Sequence, residues 1–204
     1  MKRTTLLLLA ATLPTLAQAE WMTGLRGGLT RNDHGAGDLQ AALSARGHAV
    51  DASVDSRDTA GIVSLGYRAS RLLSLEASLG TLGRYRATLQ GGSGNAGALA
   101  TDLVQTRPAG GEFVGLALRQ DLPITPRWSL VTRLGAFGWQ LDEPVRGTVQ
   151  DSSTSKGGGL MLGFAAQYAL SGPWSLAVGG DAFHQGDRGT VQLLHAGVEY
   201  RFGK

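Results

Sequence analysis

Segments of about ten residues in which apolar and polar side chains alternate recur along this chain, and they constrain its fold more than any other feature. In the stretch from Trp128 to Trp139, one face carries Trp128, Leu130, Thr132, Leu134 and Ala136, and the other Ser129, Val131, Arg133 and Gly135. A period of two belongs to strands, whose successive side chains point to opposite faces. The final segment repeats it, with Leu194, Ala196, Val198, Tyr200 and Phe202 on one face and His195, Gly197, Glu199 and Arg201 on the other. No apolar run after residue 19 reaches the about 18 residues of a membrane helix, whereas about ten tilted strand residues do cross a bilayer.

Eight such segments can be counted, at 21–31, 59–67, 72–86, 111–121, 128–141, 159–169, 174–184 and 190–202. An even number permits closed antiparallel pairing, and closure leaves no backbone edge unpaired in lipid. The connections alternate: long at 32–58, 87–110 and 142–158, short at 68–71, 121–127 and 170–173. The pattern predicts an all-β fold, an eight-stranded antiparallel up-and-down transmembrane β-barrel with long loops on one rim and tight turns on the other. Three strands leave a short turn alike, at Leu73-Ser-Leu75, Trp128-Ser-Leu130 and Trp174-Ser-Leu176. Strands returning to that rim bring Tyr67, Tyr168, Tyr200 and Phe202, so an interfacial aromatic girdle is expected of these four with Trp128 and Trp174.

The N-terminus assigns a compartment. Lys2 and Arg3 precede an apolar run at Leu6–Ala11, and Ala17-Gln-Ala19 supplies a small-residue cleavage site, so residues 1–19 read as a secretory signal and 20–204 as the barrel domain. The leader carries two cations, and without it the formal charge falls from +3 to +1, so a basic balance says little about partners and nucleic acid is not expected. Without cysteine there is no acylation site, disulfide or thiolate metal site. The 31 glycines suggest a loop-rich chain, but the regular apolar spacing does not fit disorder.

Within the first long connection, residues 38–50 suggest a short helix with Asp38 as N-cap. Gly91–Ala98 and Asp151–Gly159 read as flexible loops by composition, and neither glycine cluster has the strand-loop-helix context or lysine of a phosphate loop.

Four stretches, Glu76–Arg84, Leu122-Pro-Ile-Thr125, Thr132-Arg-Leu-Gly135 with Trp139, and Gly197-Val-Glu-Tyr-Arg-Phe-Gly203, resemble the transmembrane domain of outer membrane protein A and its small relatives. The resemblance implies a Gram-negative outer-membrane, porin-like location. It implies lipid and lipopolysaccharide neighbours, barrel-assembly machinery as a partner during biogenesis, a monomer, and long loops open to extracellular partners. In that family an acidic and a basic side chain meet inside the barrel and obstruct the water path; the matching positions here are Glu76 and Arg119. The family's second acidic position on the sixth strand holds Gln167. The chain ends at Lys204 without the family's peptidoglycan-gripping domain, so no cell-wall tether is expected.

Alternation turns Arg26, Glu76, Arg119, Arg133, Asp181, His195, Glu199 and Arg201 inward. An eight-stranded barrel is just wide enough to be filled by side chains, so these mixed charges are expected to pair as a satisfied polar core. The sharper reading makes Glu76 and Arg119 a gate, with Arg133 as the alternative partner. An enzyme of the lipid A-modifying kind would use His184 as its base, yet Phe183-His-Gln-Gly-Asp187 lacks the His-x-Ser pattern of the deacylases; no catalytic residue is expected. His34 and His48 match no metal-ligand spacing, so neither metal nor cofactor is expected. Arginine outnumbers lysine 16 to 3, and Arg31, Arg57, Arg107, Arg146 and Arg188 at the rim are candidates for lipopolysaccharide phosphates.

Overall fold

The computed structural model describes residues 20–33, 35–83, 86–90, 98, 99, 102, 110–144 and 152–202. The signal reading at 1–19, His34, Arg107, Arg146 and most of the glycine-rich second loop lie outside the described residues, as do the side-chain surroundings of Asp187.

Among the described residues the main elements follow in order: β1 (Glu20–Asn32), α1 (Ala36–Ala45), β2 (Asp51–Asp55), β3 (Arg57–Arg68), β4 (Leu73–Thr81), β5 (Arg86–Gln90), β6 (Glu112–Pro123), β7 (Trp128–Pro144), β8 (Ser152–Ala169), β9 (Trp174–His184) and β10 (Thr190–Phe202), with a short 3-10 turn at Gly186–Arg188. Eight of them close an antiparallel barrel in the order β1-β10-β9-β8-β7-β6-β4-β3, each pairing with its sequence neighbour in the barrel and β1 sealing against β10. β2 and β5 pair with each other outside it.

The tight turns follow from local chemistry. Ser70 Oγ accepts the backbone N–H groups of Leu72 and Leu73, and Thr125 Oγ1 those of Arg127 and Trp128, at 3.0 to 3.3 Å. The third turn uses Gly172, whose φ of 74° a side chain would oppose. Outward positions form an exposed apolar belt, including Leu25, Leu29, Leu79, Val114, Leu134 and Leu194, each more than half exposed. A belt on that scale suits lipid rather than water.

Three expectations change. The segment expected at 72–86 leaves the barrel at Thr81; Arg86 begins β5, which pairs with β2 to satisfy its backbone there. The loop expected at 142–158 is mostly strand, because β7 and β8 stay paired out to Pro144 and Ser152. Composition suggested flexibility, but an antiparallel ladder pairs backbone groups whatever their side chains. Gly157 and Gly159 are therefore not loose tips: a Cβ on Gly157 would lie 2.5 Å from Trp139 Cζ2, and one on Gly159 1.9 Å from the His184 carbonyl oxygen. The helix starts earlier than expected and stops sooner. Gly35 is its N-cap, while Asp38 sits in the first turn and accepts the Gly35 N–H at 2.9 Å. Gly47, at φ 86°, ends the helix by donating to the Ser44 carbonyl.

Candidate functional site: the barrel interior and its outer cap

Inward-facing side chains fill the barrel in two layers of opposite chemistry. The layer nearer the tight turns is ionic. Glu76, at the centre of β4, accepts Arg26 Nη2 at 2.9 Å, Arg133 Nε at 3.1 Å and Arg119 Nη1 at 3.4 Å. Arg26 and Arg133 both reach Asp181, at 3.1 and 3.7 Å, and His195 Nε2 lies 3.3 Å from the same carboxylate. Arg119 is almost wholly buried and also donates to Asp121 at 2.8 Å, to Gln167 at 3.1 Å and to Glu199. Gln167 donates on to Glu199 at 2.9 Å, and Arg201 Nε reaches Glu199 at 3.2 Å. At the rim, Arg68 bridges Asp121 at 3.6 Å and Glu20 at 2.7 Å.

All eight inward ionisable residues expected from alternation thus meet in one network. Glu76 and Arg119 are neighbours in it, but their contact is longer than those of Glu76 with Arg26 and Arg133. Asp121, Glu20 and Arg68 belong to it and were not singled out from sequence. Asp121 shares the inward parity of Arg119, a signal hidden by reading the short turn as starting at residue 121, where the fourth segment ends. The five arginines, 26, 68, 119, 133 and 201, face five carboxylates, 20, 76, 121, 181 and 199, so the described ionic layer is formally neutral apart from His195.

The layer nearer the long loops corrects the expectation of a polar lumen throughout. Phe113, Phe137 and Phe183 meet edge to face, with ring centroids 5.2 to 6.3 Å apart, and Trp139, Met161, Leu82 and Leu193 close around them. These residues occupy inward positions by the same parity as the charges below, and apolar side chains fill a narrow barrel without needing partners.

The aromatic residues expected to share one level are brought together by the register. Trp21 opposes Tyr67, Trp128 opposes Tyr168, and Trp174 opposes Tyr200, with centroids 4.8 to 5.1 Å apart; Phe202 stacks beside Tyr200 at 4.7 Å. Trp21 is the member that sequence reading missed, although its parity on β1 marks it.

Above the barrel, α1 buries Leu39 and Leu43 with Val50 against Ala52, Val54, Leu89 and Leu99, which joins the first long connection to the second. Asp102 clasps this cap: its carboxylate takes Arg46 Nη1 at 2.7 Å and faces His48 Nε2 at 2.9 Å. The His48 hydrogen bond, and then Arg46, hold the Asp102 carboxyl below its ordinary range. His184 is exposed at the outer rim with Nδ1 3.2 Å from Thr190 Oγ1. Among the described residues, no three His, Cys, Asp or Glu side chains are grouped to hold a metal ion.

Eight strands close this barrel and its outward face is an apolar belt, and residues 4–202 match the outer membrane protein beta-barrel domain family. The chain belongs to that family. No curated protein sequence matches it significantly. Similar solved structures include the N-terminal β-barrel domain of OprF from Pseudomonas aeruginosa, at 12% identity and TM-score 0.53, covering 91% of this chain and all of that one. Ail of Yersinia pestis, in complex with the heparin analogue sucrose octasulfate, aligns at 13% identity and TM-score 0.52, covering 91% of this chain and 99% of its own. Neisserial surface protein A aligns at 14% identity and TM-score 0.52, covering 90% and 97%. At these identities the likeness is one of fold, and the family places this barrel in the bacterial outer membrane.

Proposed function

We propose that this protein is a non-enzymatic, monomeric outer-membrane barrel that contributes to envelope integrity and holds a folded outer cap for surface contacts. One observation carries the reading: the interior is filled twice over, by an ionic layer and by an aromatic layer in series. Water that passed a parted Glu76–Arg119 pair would still meet Phe113, Phe137 and Phe183, so opening one layer does not open the barrel. The cap supports the second half of the proposal, because its apolar cluster gives it a fixed surface above the membrane.

The alternatives make separable demands. A low-conductance pore gated by Glu76 and Arg119 draws support from the length of that contact, 3.4 Å. A lipid A-modifying enzyme would use His184 beside the Thr190 hydroxyl and must lose lipid turnover in His184→Ala. The decisive measurement is conductance of the refolded barrel in planar bilayers, for the native chain, Glu76→Ala and Arg119→Ala, each shown to be folded by its faster mobility on an unboiled gel. Silence in all three is expected. Discrete channels in the native chain, or channels that appear in either single variant, overturn the sealed-scaffold reading and favour the pore.

A further inference from the structure

The rim arginines divide sharply in their surroundings. Arg188 lies over the Trp139 ring, 4.8 Å from its centroid, and is engaged there. Arg31 and Arg57 are different. They stand directly opposite each other across the β1–β3 ladder, and both are exposed on the outward face. Side chains so placed have Cβ atoms about 5 Å apart, and like charges in that position destabilise a sheet. Among the described residues neither guanidinium has a carboxylate partner: Asp55, two residues before Arg57, turns its Oδ1 to the Arg57 backbone N–H at 3.3 Å, and Asp58, next along the strand and so of opposite parity, accepts the Thr59 backbone N–H at 2.8 Å. On the other side Arg31 opposes Gln192, a neutral side chain. Two opposed cations without an acid between them constitute a place for an anion that both can hold.

Their height identifies the anion's source. Arg31 lies ten residues beyond Trp21 on β1, and Arg57 ten residues from Tyr67 on β3, the pair of aromatics that faces the tight turns. At about 3.3 Å per residue and a tilt of about 40°, ten residues rise ~25 Å, which is the height of the apolar band of such barrels. The two arginines therefore sit at the upper edge of the band, level with outer-leaflet headgroups. Below them the outward wall has a notch. Gly27 opposes Gly61 in the same ladder, and a Cβ on Gly61 would meet nothing within 4 Å. Leu29 lies above this notch, and Leu25 with Val63 below it, all exposed.

We propose that Arg31 and Arg57 are the headgroup half of a lipid site on the outer wall, taking a phosphate of lipopolysaccharide from the outer leaflet. The acyl half is the Gly27–Gly61 notch between Leu29 and Leu25. A guanidinium fork from each strand binds one phosphate bidentately and relieves the repulsion between the two arginines, while an acyl chain descends through the notch. The site lies outside the barrel and does not depend on whether the interior conducts.

The test uses the full chain refolded into nanodiscs of neutral phospholipid. Phosphorylated lipid A, enzymatically dephosphorylated lipid A or inorganic phosphate is added, and bound lipid is counted by native mass spectrometry. The native barrel is expected to retain phosphorylated lipid A about tenfold better than the dephosphorylated form, as charge-assisted hydrogen bonds to one phosphate would produce. Arg31→Gln with Arg57→Gln should erase that preference. Gly61→Leu, which leaves both arginines in place, should weaken retention of either lipid form, and inorganic phosphate should not displace the lipid. Equal retention of the two lipids by the native barrel overturns the proposal. So does undiminished preference in the double variant with normal unboiled gel mobility, or displacement by inorganic phosphate, which would make the site one for the free ion.

Discussion

Replacing Arg119 with methionine removes the most connected charge in the barrel while keeping most of its volume. Arg119 is 1% exposed and donates to Asp121, Gln167, Glu76 and Glu199. Without it four arginines face five carboxylates, so one buried negative charge has no counterpart. Removing one partner of a buried, hydrogen-bonded charge pair costs about 3–5 kcal/mol, because the remaining charge stays desolvated. Arg119→Met should therefore lower the unfolding free energy by about that amount. The assay is urea unfolding in phospholipid vesicles, followed by tryptophan emission and compared at constant slope. Adding Glu199→Gln restores the charge balance, and since exchanging a buried pair for neutral groups is often nearly neutral, most of the loss should return. A loss below about 1 kcal/mol for Arg119→Met would refute the reasoning. It would mean that water already screens these groups, and the sealed-scaffold reading would fall with it.

Two further outcomes are expected. Gly28→Ala puts a Cβ 1.9 Å from the Leu194 carbonyl oxygen and 2.7 Å from the His195 Cα, backbone atoms that cannot yield cheaply, so the same unfolding assay should register a loss of about 1–3 kcal/mol; Gly61→Ala, with open space at its Cβ, should register almost none. The cap should loosen in acid: Asp102 has a depressed carboxyl, so its contribution is present above the ordinary aspartate range and is lost as pH falls through the lower folded-state value. Amide exchange of residues 36–54 should therefore accelerate below the ordinary aspartate range, relative to its pH-corrected rate, and Asp102→Asn should remove the step; an exchange rate indifferent to Asp102→Asn would show that the clasp does not hold the cap.

The eight barrel strands were legible, though not all of their ends, because period-two alternation is a property of single strands, and a bilayer asks every outward position for the same chemistry. That is why Trp128, Leu130, Leu134, Leu194 and Val198 announced their face without knowledge of their neighbours. The same parity placed Arg26, Glu76, Arg119, Arg133 and Asp181 inside together. It contained Phe113, Phe137 and Phe183 too, but charges drew the reading of the inner face, and the aromatic layer went unread. Asp121 was lost at an assumed turn, and the glycines of 157–159 were judged by flexibility when their role is close approach.

Sequence by itself determined the eight-stranded barrel, the lipid-facing belt and which residues turn inward, because each follows from local periodicity, turn chemistry and the apolar solvent around the wall. Only the tertiary structure decided which charge meets which, that the interior carries two layers, that β2 and β5 pair across the long connections, and that Arg31 stands opposite Arg57. These depend on register and closure between distant strands, where a shift of one residue would exchange every partner without altering the alternation of any segment.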